Sequence, residues 1–142
     1  MGILGGRESD IIPGMGREGR QVVLTSGEMG SETHYAAALR RRDCLVLPAS
    51  RVDEVERLLE MSGIWGLLAP SLARLGWYGV DGPERIKGVL ELASQNRVAR
   101  VAVVTRMAET LRHWERLGTK ETTIKFFSPG SGVEAVVSFI VD

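Results

Sequence analysis

One cysteine, Cys44, and two histidines, His34 and His113, are all this chain holds of the usual soft metal ligands and neutral-pH bases. A lone cysteine closes no intramolecular disulfide, and no Cys/His cluster has metal-ligand spacing, so no metal is expected. Asn and Gln are nearly absent and Arg far outnumbers Lys, a bias shared by heat-adapted (thermophile) proteins and GC-rich genomes. No apolar run approaches the roughly 18 residues of a membrane span, and the N-terminus lacks the basic-then-apolar layout of a secretory signal. Net charge is missing too: 18 acidic residues balance 18 basic ones. General nucleic-acid binding rests on a basic excess, so this balance argues against it and leaves only a local patch open. The expectation is a reduced, cytoplasmic protein with no membrane contact.

What is present reads as an ordinary globular chain, 44% hydrophobic and 25% charged over 142 residues. That is long enough for a single domain with a real core. Residues 1–20 are Gly-rich and poor in apolar residues, which predicts a flexible lead-in with a short edge strand near Ile11 and Ile12. Residues 21–142 form the predicted domain. Its best-defined stretch is the β-branched run Val98–Thr105, which suits a central strand covered on both faces. Met107, Ala108, Leu111, Trp114 and Leu117 follow at helical spacing and stop at Gly118.

Around that strand–helix unit, Gln21–Thr25 and Asp43–Leu47 read as strands and Glu32–Arg41 as a helix capped by Ser31. Ser50, with Asp53 in a loose capping box, opens a helix whose stripe is Val52, Val55, Leu58, Leu59 and Met61. Ile64–Leu75 is apolar but broken by Gly66 and Pro70, and is read as part of a helical stretch ending at Gly76. Pro83 suits the first turn of a helix running to about Gln95. Thr122–Phe127 and Val133–Val141, joined by a Pro/Gly turn, predict a C-terminal antiparallel hairpin. The fold class is α/β (or α+β), with a mixed sheet of about five strands and helices packed on it.

Several stretches qualify for chemistry or binding. The loop Thr25–Ser31 lies between a strand and a helix N-terminus, where Gly27, Gly30 and Ser31 would face a phosphate, but it has no P-loop lysine. His34 and His113 have no nucleophile motif nearby, and Cys44 falls in a predicted buried strand. Arg40, Arg41 and Arg42 form the one compact basic patch suited to an anionic partner. Trp65, Leu68, Trp77 and Tyr78 lie in the most hydrophobic, Gly-broken stretch, a composition common at protein interfaces.

Gly79-Val-Asp-Gly-Pro-Glu-Arg-Ile-Lys-Gly88, an apolar helix, a strand and His113-Trp-Glu-Arg-Leu-Gly118 together resemble the C-terminal half of the GCN5-related N-acetyltransferase (GNAT) family. The resemblance covers about residues 79–141. It implies that Gly79, Gly82, Glu84 and Arg85 meet the pyrophosphate of acetyl-CoA at a helix N-terminus. Trp114 stands where the family carries its acidic Tyr, so the resemblance assigns no catalytic residue. No acid–base–nucleophile constellation emerges elsewhere. The reading that follows is a binding or assembly domain, engaging a protein partner or a second copy through Trp65–Tyr78. The alternative is an acyl-CoA- or nucleotide-binding domain, with acetyl-CoA the cofactor of an N-acyltransferase.

Overall fold

The computed structural model describes residues 19–26 and 31–142, together with their side chains except those of Ser31 and Glu32. The expected lead-in, apart from Gly19 and Arg20, and the strand near Ile11 lie outside the described residues. In chain order the elements are β1 (Arg20–Thr25), α1 (Ser31–Arg41), β2 (Cys44–Ala49), α2 (Val52–Leu59) and β3 (Ile64–Ala69). A 3-10 turn (Leu72–Leu75) leads to α3 (Gly82–Gln95) and β4 (Arg100–Val104). Then come α4 (Ala108–Leu111), which tightens into 3-10 helix over Arg112–Leu117, β5 (Thr123–Phe127) and α5 (Val133–Val141).

The five strands pair in the order β2-β1-β3-β4-β5, and every pairing is parallel. This is the flavodoxin-like order of doubly wound sheets, in which strand direction of travel reverses between β1 and β3. Parallel strands need long crossovers, and the crossovers here are the helices. On one face, α2 and α3 set Val55, Leu59, Ile86, Val89 and Leu90 against Val23, Leu67, Val101 and Phe126. On the other, α1 and α5 set Leu39, Val136, Val137 and Ile140 against Val22, Leu24, Leu68 and Ala102. Covered on both sides, the inner strands are apolar without alternation.

Two expectations are corrected. The sheet is parallel throughout rather than mixed, and the C-terminal antiparallel hairpin is not formed: 133–141 is a helix. Val and Ile disfavour helix by about 0.5 kcal/mol each, so five of them in α5 cost about 2–3 kcal/mol. Burying Val136, Val137, Ile140 and Val141 returns roughly 1.5–3 kcal/mol apiece. Packing decides the outcome. The second correction is Ile64–Ala69, a buried central strand rather than helix. Gly66 is no breaker there: a Cβ on it would sit 3.2 Å from the Arg100 carbonyl oxygen and 3.4 Å from Ile140. The glycine lets the neighbouring strand and α5 come close.

The N-terminal edge of the sheet is closed by an aromatic and cationic cluster. The Arg20 guanidinium lies 3.6 Å from the Trp65 ring centroid. The Trp65 indole N–H donates to the Ile140 carbonyl (2.7 Å), and Arg20 donates to that of Val141 (2.9 Å). These bonds tie the last turn of α5 to β1 and β3.

Candidate functional site

In an open parallel sheet, the C-terminal strand ends meet the loops that differ most between proteins, and ligands gather there. Here those ends are Thr25 and Ser26 after β1, Ala69–Ser71 after β3, Thr105–Met107 after β4 and Ser128–Pro129 after β5. Arg74 reaches across this edge to donate to the Ser50 carbonyl (3.1 Å). A cleft of about 470 Å³ opens among Pro70, Ser71, Trp77, Tyr78, Thr105, Arg106, Met107 and Pro129.

The sequence builds each wall locally. Ser71 caps the 3-10 turn, its hydroxyl accepting from the Ala73 amide at 3.2 Å. The turn ends at Gly76, whose φ of 87° is the left-handed value glycine tolerates. The next loop folds back tightly: the Gly82 amide donates to the Gly79 carbonyl, and the Trp77 carbonyl lies against the Gly82 Cα. Trp77 is half-buried against the core, but Tyr78 is 81% exposed and Val80 fully so. From β4, the Thr105 hydroxyl accepts from the Met107 amide (3.1 Å), which aims Met107 and Arg106 at the cleft's floor and rim.

Chemically the cleft is one-sided. Its lining side chains supply hydroxyls, a guanidinium and apolar surface, and among the described residues no carboxylate or histidine lines it. Among the described residues the strand ends carry no Asp or Glu to hold a cation. No group of three metal-ligating side chains occurs among them either. Thr25, wholly buried, and Thr105 continue the alternation of Val23 and Val103 on the α2–α3 face. The Thr25 hydroxyl has no hydrogen-bond partner among the described residues. A second depression, about 550 Å³ between α2 and α3, is lined by Asp53, Glu56, Arg57, Glu60 and Glu91. It is the charged solvent face of two helices.

The four proposed interface residues do not share a surface. Leu68 is entirely buried in the core. Trp65 sits at the opposite end of β3 from Trp77, held under Arg20. Only Trp77 and Tyr78 meet, at the cleft. Of the proposed cofactor residues, Gly79, Glu84 and Arg85 are exposed while Gly82 is buried. Gly82's lack of a side chain is accounted for within the chain by the approaching Trp77 carbonyl. Arg85 is paired with Glu56 at 3.3 Å. Gly27 and Gly30 lie outside the described residues, as does the Ser31 side chain. In the basic triplet, Arg41 pairs with Glu134 (3.6 Å) and Arg42 with Asp142 (3.2 Å), linking α1 to α5, while Arg40 is exposed. His34 is exposed, and so is His113, whose Nδ1 lies 3.1 Å from the Thr110 carbonyl. Burial pushes the Cys44 thiol up, against the opposing pull of Arg20 and Arg42, which makes it a poor nucleophile. Sequence reading missed Thr105, Met107 and Pro129. Their only signal was position after a strand, which needs the strands themselves to be placed first.

No helix among the described residues is long and apolar enough to cross a membrane. No family model, curated protein or solved structure matches the chain. Strand order therefore speaks for fold alone, because this architecture hosts many unrelated activities.

Proposed function

We propose that this chain is a binding domain that docks a protein partner through the C-terminal edge of its sheet, with the Trp77–Val80 loop as the anchor. One observation carries the reading: Tyr78 and Val80 project almost fully into solvent from a tightly closed loop. An exposed aromatic beside an exposed aliphatic, next to a cleft with a half-buried Trp, is the composition of an interface hot spot. The backbone closure fixes the main chain that carries these side chains, so docking has little backbone left to order. Hydroxyls and apolar walls without an acid or a base suit holding a partner rather than turning over a substrate.

The test is a photo-crosslinking amino acid at position 78, in the cells that make the protein. The expected result is one discrete adduct that Val80→Asp abolishes. An adduct of twice the chain mass makes the partner a second copy. No discrete adduct, or one indifferent to Val80→Asp, overturns the reading.

A further inference from the structure

We propose that the cleft beneath the Trp77–Val80 loop is also a small-ligand site, selective for an anion carried on a flat ring, as in a mononucleotide. The inference stands on the lining of the cleft and does not depend on protein docking. At about 470 Å³ the cleft is within the usual range of small-molecule sites, roughly 300–1,000 Å³.

Its polar groups are donors in search of acceptors. The Thr105 hydroxyl is 92% shielded from solvent (8% exposed), and its oxygen already accepts from the Met107 amide. Its proton therefore points away from that bond, with no acceptor among the described residues. Ser71 repeats the pattern: its oxygen accepts from Ala73, and its proton has no such acceptor either. Arg106 lines the same cleft, is exposed, and forms no ion pair among the described residues. Two hydroxyl-bearing side chains and a guanidinium line one cleft, with no carboxylate among the described lining residues. A ligand satisfies that set by presenting several oxygen acceptors and negative charge, which a phosphate or carboxylate does. The remaining lining is Trp77, Tyr78, Met107, Pro70 and Pro129. Two aromatic side chains, a thioether and two prolines give the cleft a lining whose composition favours a planar ring over a branched aliphatic group. The anion and the ring belong to one molecule because both kinds of wall bound one space.

Adenosine 5′-monophosphate, phenyl phosphate, adenosine and inorganic phosphate are the probes, titrated into the whole chain. Binding is read by amide and indole NMR shifts. The expectation is that at least one of the two ring phosphates binds and moves the Thr105 amide and the Trp77 indole. It should bind at least tenfold tighter than adenosine or inorganic phosphate. Arg106→Ala leaves an exposed position and should fold as the parent does, yet weaken the ring phosphate about ten- to hundredfold, as loss of a charged hydrogen bond does. Thr105→Val should weaken it less. Val80→Ser, which strikes protein docking, should leave it unchanged. Inorganic phosphate binding as tightly as both ring phosphates would overturn the ring half of the proposal. Binding of neither ring phosphate at millimolar concentration, or an Arg106→Ala affinity equal to the parent's, would overturn the whole.

Discussion

Two glycines six residues apart in α3 should respond to the same substitution with opposite signs. An alanine Cβ at position 82 would lie 1.7 Å from the Trp77 carbonyl oxygen and 2.6 Å from its carbon. Ordinary carbon–oxygen contact is about 3.3 Å, so the backbone must retreat by about 1.6 Å. It has little room, because the Trp77 amide is bonded to the Leu72 carbonyl and the Trp77 side chain packs on the core. Overpacking against backbone costs about 2–3 kcal/mol. At position 88 the added Cβ meets nothing within 4 Å on an exposed turn of the same helix. There the substitution removes glycine's entropy penalty and stabilises by about 0.5–1 kcal/mol. The two variants should differ by about 3 kcal/mol, or about 10–15 °C in Tm for a domain of this size. Melting followed by circular dichroism measures the difference. Tryptophan emission should shift only in Gly82→Ala, because only that variant moves Trp77. A Gly82→Ala protein within about 0.5 kcal/mol of the parent would refute the close approach and the rigid loop drawn from it.

Thr122 is 1% exposed and its hydroxyl has no partner among the described residues; Thr122→Val should therefore raise stability by about 1 kcal/mol in urea titration, and a loss of that size would mean the hydroxyl is satisfied. Trp65→Phe removes the bond to Ile140 and weakens the Arg20 stacking. It should cost about 1–2 kcal/mol, and amide exchange should quicken first in the last turn of α5. The Glu54 carboxylate accepts from the Ser50 amide, the Ser50 hydroxyl and the Arg51 amide, which holds its pKa below the ordinary carboxylate value. A depressed folded-state pKa stabilises above the unfolded value and is lost as pH falls through the folded one. Glu54→Gln should accordingly flatten the acid limb of a stability–pH profile, and an unchanged limb would discount this cap.

Local patterns in the sequence were enough to place β1, α1, β2, α2, α3, β4 and β5 to within a few residues. Each has either a β-branched run or a 3.6-residue stripe with a stop signal. The two failures have different causes. In β3 both faces are buried, so polar residues no longer mark a solvent side and periodicity loses its contrast; α5 keeps an exposed side at Glu134 and Ala135. In α5 the spacing of Val133, Val136, Val137, Ile140 and Val141 is helical, yet the β-branched composition outweighs it on a local reading. Misreading those two elements removed the information needed to see a parallel sheet. A terminal helix in place of a hairpin turns β5 parallel, and β3 as a strand supplies the centre that the order β2-β1-β3-β4-β5 requires. The GNAT resemblance drew on the same stretch, whose last segment, Val133–Val141, is a helix rather than a hairpin strand.

The candidate site was legible only in fragments, because its residues come from three crossovers that meet only once the sheet order is known. Trp77 and Tyr78 stood out by residue type, but so did Trp65 and Leu68, which the fold uses internally. The distinction rests on whether the chain itself accounts for each residue. Leu68 is core, Trp65 anchors α5, and Gly82 makes room for a carbonyl, so each has a purpose within the monomer. Tyr78 and Val80 have none: a polar pair would serve the loop's backbone bonds equally well and would not hold apolar surface in water. The Thr105 and Ser71 protons and the Arg106 charge are unused in the same sense. Tyr78, Ser71, Thr105 and Arg106 all border one cleft at the end of the sheet where loops are free to vary. Their convergence there, more than any single one of them, is what supports the proposed docking and ligand edge.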